Sequence, residues 1–145
     1  MIYIFIICSL VFIDLMTKTY AKKLLSDSAY MRVYKNIYLN LVFNKGAAYG
    51  FLKKNQFLLN LLIALSLVSL SIMLCISISI KYYSGFNFLV SIILGGALGN
   101  YIDRCKYGHV TDFIYIKYKR LPVFNFADIF IFFSSIILMI YLIYI

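Results

Sequence analysis

Four long apolar stretches, at about residues 1–16, 57–80, 86–102 and 123–145, alternate with polar connections along the chain. Each approaches the roughly 20 residues that a helix needs to cross a hydrocarbon core. Between the first two the pattern changes. Across Tyr30–Phe43, Val33, Ile37, Leu39 and Leu41 stand among Tyr, Arg, Lys and Asn at a spacing nearer the strand period than the helix period. Val110–Tyr118 is also rich in β-formers. The pattern predicts an all-α membrane protein of four transmembrane helices with a small β element on the membrane surface. No internal repeat and no Gly/Ser-rich or Pro-rich linker divides the sequence, so a single integral domain over residues 1–145 is expected. The first stretch lacks the basic start and small-residue cleavage site of a secretory leader, and it carries Asp14, so it reads as a permanent span.

Composition sharpens this picture. Mean hydropathy is +0.94, with one Pro in 145 residues, values of the membrane class. The charge is lopsided: 14 Lys and Arg against five acids, every one an Asp. Asp14, Asp103 and Asp128 lie where an apolar run starts or stops, Asp112 lies between two runs, and Asp27 alone falls in plainly polar sequence. A carboxylate in a bilayer segment costs about 2.5–3.5 kcal/mol on insertion scales, so four retained there suggest a use. Four spans of alternating direction put both termini on one side and both longer connections on the other. Those connections hold Lys18, Lys22, Lys23, Arg32, Lys35, Lys45, Lys53, Lys54, Arg104, Lys106, Lys117, Lys119 and Arg120, while the opposite side has only Lys81. By itself the positive-inside rule assigns the basic side to the cytoplasm.

Cysteine and histidine exclude other classes. Cys8 and Cys75 fall in apolar spans, where Cys is usually a small buried hydrophobe, and Cys105 follows Arg104. With no CxxC pair and His109 as the sole histidine, no disulfide framework, metal site or cofactor is expected. Nucleic acid is not expected as a partner. The sequence leaves oligomeric state open, with a monomer favoured.

The alternating spans also gather the polar residues. Asp14 and Lys18 are four apart near the end of the first span, and Asn100, Asp103 and Arg104 share a face at the end of the third. Asn125 and Asp128, three apart, open the fourth. Together with Asn44 and Asp112 these ends should meet just inside one membrane surface. The Asn44–Gly50 segment supplies two glycines and two alanines, so residues such as Gly46 would let a peptide backbone come close. Taken singly, each feature has a plainer explanation: a turn, glycine-mediated helix packing, an Asp–Arg anchor in the headgroups, or an Asp that satisfies a helix dipole. Two carboxylates in one confined site cannot both ionise cheaply, so one holds a proton and the pair can do acid–base work without a metal. Asp103 adjoins Arg104 and Asp14 lies one turn from Lys18, whereas Asp112 and Asp128 have no Lys or Arg within four positions. That makes Asp112 and Asp128 the better catalytic pair.

Five ordered blocks resemble the lipoprotein signal peptidase (signal peptidase II) family over nearly the whole chain. They are Asp14 with Lys18, the small-residue segment Asn44–Gly50, Gly95–Arg104, Val110–Phe113 and Phe124–Asp128. Tyr49 stands where the family usually has Phe. The resemblance implies a bacterial aspartic endopeptidase that removes the signal peptide of prolipoproteins just before a diacylglyceryl-modified Cys. It implies Asp112 and Asp128 as the catalytic dyad, and Asn44 and Arg104 as holders of the substrate backbone. Asp14, Lys18, Asn100, Asp103 and Asn125 become the surrounding polar network, and the strand-like stretch helps to cradle substrate. It also implies the bacterial cytoplasmic (inner) membrane, both termini in the cytoplasm, and the site and β element at the extracytoplasmic surface. That orientation opposes the charge count, and membrane lipids with anionic headgroups would be the natural partners of the outward-facing cations. The rival reading is a small proton-coupled membrane carrier or channel subunit, in which Asp14 would matter as much as Asp112.

Overall fold

The structure, a computed structural model, describes residues 1–26, 30–46, 52–81, 84–118 and 121–144. Asp27, Ala47–Gly50 of the small-residue segment, Lys119 and Arg120 lie outside the described residues. The element order is α1 (Ile2–Leu24), β1 (Tyr30–Tyr34), β2 (Ile37–Asn44), α2 (Gln56–Ser79), α3 (Ser84–Tyr107), β3 (Val110–Ile116) and α4 (Phe126–Ile143). All four helices are long and apolar enough to cross a membrane.

Two helices run past the expected spans. The apolar stretch ends near Met16, yet α1 continues to Leu24, and α3 continues past Ile102 to Tyr107. The added turns carry Lys18 and Arg104, which face inward, where protein groups bind the Lys18 ammonium and one Arg104 nitrogen, so charge does not end the helix. The fourth helix begins later than its apolar run, because Asn125 caps it: the Asn125 side chain accepts from the Asp128 backbone N–H while the Asp128 carboxylate accepts from the Asn125 N–H.

The bundle is organised on α3, which packs against α1, α2 and α4. Small residues permit the close approach. A Cβ on Gly95 would meet Leu10 of α1 at 2.9 Å, and one on Gly96 would meet the Ala127 carbonyl of α4 at 2.9 Å. Leu67 and Leu74 of α2 pack with Phe86, Val90 and Leu94 of α3 in an apolar core. Toward the end of α3 that carries Phe86, Ser77 donates to the Asn87 side chain at 2.5 Å.

Burial runs opposite to that of a water-soluble helix. The buried residues of α1 are Asp14, Lys18 and Ala21, one polar stripe turned inward. The apolar residues Ile4, Phe5, Phe12 and Met16 point outward. This arrangement suits a lipid surround, where charges must find protein partners. Cys8 and Cys75 are also exposed, which corrects the expectation that they fill the core; each occupies the outward face of its helix.

The β element is a three-stranded antiparallel sheet of order β1-β2-β3. Its first hairpin turns through Lys35 and Asn36, with Lys35 at φ 41, the left-handed geometry such tight turns require. The β2–β3 register places Asn44 opposite Val110 and Val42 opposite Asp112. Beyond β3, Phe124 forms an isolated bridge to Ile114, which ties the start of the last helix to the sheet.

Candidate active site

The ends of α1 and α3, the start of α4 and the strands β2 and β3 converge on one polar centre. Asp112 is the third residue of β3 and is 3% exposed. Asn44 Nδ2 donates to its Oδ2 at 3.1 Å, and Asn125 Nδ2 donates to its Oδ1 at 2.7 Å. Asp128 lies in the first turn of α4. Its Oδ1 accepts from Asn100 Nδ2 at 2.9 Å, and its Oδ2 accepts from the Asn125 backbone N–H at 3.1 Å. Asn125 is fully buried and touches both carboxylates, one through its side chain and one through its backbone.

Burial, and after it the negative charge of Asp128, pushes the Asp112 carboxyl up to about 6; the Asn44 and Asn125 amides oppose the rise. The two carboxyls are therefore electrostatically coupled across Asn125. Such a pair holds a proton at a pH where an ordinary aspartate has lost it.

Behind the pair lies a second layer. Lys18 Nζ donates to Asp14 Oδ2 at 2.6 Å and to Asn100 Oδ1 at 2.8 Å, and it lies 3.8 Å from Asp103 Oδ2. Asp14 Oδ1 in turn accepts from the Ala127 backbone N–H at 3.2 Å. Asn125 Nδ2 also reaches Asn100 Oδ1 at 3.1 Å. With its oxygen held by Lys18 and Asn125, the Asn100 amide has one orientation, nitrogen toward Asp128. The charges of Asp14 and Lys18 pair with each other and do not line the cleft. Gly99 makes room for this layer, since a Cβ there would overlap the Asp14 carboxylate.

Asp103 and Arg104 do not form the expected rim pair. Asp103 is 2% exposed; it accepts from the Thr111 backbone N–H at 2.7 Å and faces Lys18 and Lys22, each at 3.8 Å. Arg104 turns the other way and donates through Nη2 to the Gly46 carbonyl at 2.8 Å. Its Nε and Nη1 are buried without a hydrogen-bond partner among the described residues. Gly46 N–H donates to Asn44 Oδ1 at 3.0 Å, so Arg104, Gly46 and Asn44 form one unit beside Asp112. His109 lies outside the pair, packed at a tilt against Phe43 with ring centroids 4.5 Å apart.

Asn44, Asn100, Arg104, Asp112 and Asp128 line the polar end of a cleft of about 1070 Å³. Its other walls come from Ile116, Leu121–Phe124 and the face of α4 that carries Ile129, Phe132, Ile136 and Met139. A polar, acid-bearing head thus continues into an apolar trough along a membrane helix. Among the described residues, no three His, Cys, Asp or Glu side chains group as a metal site would need. The sequence marks Gly99 as a helix-packing glycine, which the structure bears out against Asp14, but does not single out the Ala127 N–H or the Thr111 N–H. Those two parts belong to the backbone, and they follow only from the packing.

Known proteins carry the same arrangement of sequence and fold. The family described as signal peptidase (SPase) II matches residues 6–144. A lipoprotein signal peptidase of Clostridium novyi is 37% identical over 139 residues, covering 91% of this chain and 90% of its own. One from Caldanaerobacter subterraneus is 39% identical over 138 residues, covering 93% and 91%. A bacterial membrane enzyme solved by the in meso method at 2.3 Å superposes with a TM-score of 0.79 at 26% identity, covering 97% of this chain and 87% of its own. A second, solved at 1.9 Å, gives 0.75 at 27% identity, with 97% and 91% covered.

Proposed function

The chain belongs to the signal peptidase II family, and from that premise we propose that Asp112 and Asp128 are the catalytic dyad of a peptidase acting on lipid-modified precursors. The protein is a multi-pass membrane aspartic endopeptidase that removes signal peptides from prolipoproteins. The observation that carries the dyad assignment is the sharing of Asn125: the same buried residue holds both carboxylates at the polar head of the cleft.

In this reading one carboxyl of the pair is ionised and the other protonated. The ionised member takes a proton from a water molecule as its oxygen attacks the scissile carbonyl carbon. The protonated member gives its proton to the carbonyl oxygen, forming a neutral gem-diol. On collapse the C–N bond breaks, and the leaving nitrogen takes a proton from the dyad, freeing a new carboxyl terminus and a new amine. No covalent enzyme intermediate is needed. The Nε and Nη1 of Arg104, without a partner among the described residues, supply donors for substrate carbonyls beside the dyad, and Asn44 and Gly46 set the depth of the backbone.

The apolar trough on α4 favours a substrate with acyl chains or an apolar segment in the membrane. We take the diacylglyceryl-modified Cys as the residue just after the scissile bond. The enzyme then lies in the bacterial inner membrane as a monomer among membrane lipids, with both termini cytoplasmic and the dyad at the outer leaflet. Cleavage of one prolipoprotein with and without its diacylglyceryl group tests the substrate assignment. Loss of kcat/KM by orders of magnitude without the lipid is expected, because the acyl contacts place the scissile bond. Equal rates would remove the lipid from the recognition scheme.

A further inference from the structure

The excess cations contain one compact group that the peptidase chemistry does not use. Tyr107, at the end of α3, carries two ammonium groups on its ring: Lys22 Nζ lies 3.9 Å from the ring centroid and Lys106 Nζ lies 5.1 Å away. His109 stacks on the same ring at 6.0 Å. Burial, then the nearby charge of Lys22, lowers the tendency of His109 to protonate, and Lys45 adds to the effect. Positive charge from α1 and α3 is therefore concentrated around one aromatic ring, with a neutral imidazole beside it.

Little among the described residues neutralises it. Asp103 is the one acid among the described residues that touches the group, at 3.8 Å from Lys22. Its other oxygen already accepts from the Thr111 N–H and faces Lys18. The remaining described carboxylates, Asp14, Asp112 and Asp128, are turned into the catalytic centre. The group sits at the ends of α1 and α3, just beyond the exposed apolar residues Tyr20 and Ile102 of the same two helices. Such a place offers a phosphate its counter-charges and acyl chains an apolar wall at once.

We propose that Lys22 and Lys106, gathered on the Tyr107 ring with His109 beside it, bind the headgroup phosphate of an anionic phospholipid in the leaflet that contains the active site. The site lies at the α1–α3 seam and uses none of the side chains placed in the dyad or substrate cleft. It gives two of the thirteen cations on this face a partner and so offsets part of their conflict with the positive-inside rule. Only the naming of the leaflet rests on the peptidase reading; the binding does not.

The test is native mass spectrometry of the whole protein in a neutral detergent, titrated with phosphatidylglycerol or with phosphatidylcholine of matched acyl chains. One phosphatidylglycerol per chain should be retained at concentrations where phosphatidylcholine is not. Lys22→Gln/Lys106→Gln should weaken that retention about tenfold or more. Lys81→Gln, on the opposite face, should leave it unchanged. If the double variant fails to fold, Lys106→Gln alone serves, and about a threefold loss or more is expected. The proposal is overturned if the variants retain phosphatidylglycerol like the wild type, if phosphatidylcholine is held equally well, or if excess inorganic phosphate displaces the lipid and binds in its place. Cleavage assays do not enter this readout, so failure here leaves the dyad assignment standing, and the reverse holds.

Discussion

Asn125 holds Asp112 at 2.7 Å through its side-chain nitrogen while its side-chain oxygen accepts the Asp128 backbone N–H at 3.0 Å. One buried amide therefore sets the distance between a strand carboxylate and a helix carboxylate, and it caps the helix as well. Asn125→Ala removes both functions. The lost cap should cost about 1 kcal/mol, and leaving buried groups unpaired about 1–3 kcal/mol more. Thermal unfolding in detergent measures that loss, and cleavage should fall by at least about a hundredfold, since small displacements of reacting groups are costly. Asn125→Asp keeps a cap acceptor but adds a third charge, and it should not rescue cleavage.

The raised Asp112 carboxyl makes both stability and rate depend on pH. Between its ordinary value of 3.8 and about 6, the folded protein holds a proton that the unfolded chain has released. Stability should therefore fall as pH rises through that window and level off above it, by at most about 3 kcal/mol. Asp112→Asn should flatten the profile of unfolding midpoint against pH. For the wild type, kcat/KM should decline on the alkaline side as the pair loses its one proton, beginning near the Asp112 value. A rate that climbs steadily from pH 6 to 9 would contradict a shared proton.

Gly99 is predicted to be intolerant for a reason of space. Its missing Cβ leaves room for the Asp14 carboxylate, which is tied to Lys18 and to the Ala127 N–H. Gly99→Ala should destabilise by about 1–3 kcal/mol and reduce cleavage through displacement of α4. Gly85→Ala, where the nearest neighbour is the ring edge of Tyr141 at 3.2 Å, should be milder. Paired melting curves decide this.

Lys18 should matter more to folding than to chemistry. It is 1% exposed and compensates Asp14 and Asp103. Lys18→Ala leaves Asp14 buried without its cation and Asp103 with Lys22 alone, and should cost about 3–5 kcal/mol. Lys18→Met with Asp14→Leu removes the charge pair together and should recover part of that loss in the same unfolding assay.

Much of this centre is legible in the chain because membrane spans give polar residues so few reasons to exist. Asp14, Lys18, Asn100, Asp103, Asn125 and Asp128 stand out against apolar sequence, and alternating spans bring them to one side. The strand period across Tyr30–Phe43 likewise corresponds to the hairpin of β1 and β2. Helix ends were less legible. Hydropathy stops at the first charge, whereas Lys18 and Arg104 continue their helices because each turns inward onto a buried partner. The partners of Asp103 were not legible either. Adjacency suggested Arg104, but successive residues on a helix point about 100° apart, so Asp103 meets Lys18 and Lys22 while Arg104 meets Gly46.

The central claim is that Asp112 and Asp128 act as one acid–base pair, and cleavage of a diacylglyceryl-modified prolipoprotein by purified protein tests it most directly. Wild type, Asp112→Asn, Asp128→Asn and Asp14→Asn are compared after each is shown to be folded. The account predicts that either dyad substitution reduces cleavage by at least about 10⁴-fold, the scale set by loss of a catalytic group. Asp14→Asn should act mainly through stability, and a chelator should change nothing. Cleavage that survives in a folded Asp112→Asn or Asp128→Asn protein would contradict the account.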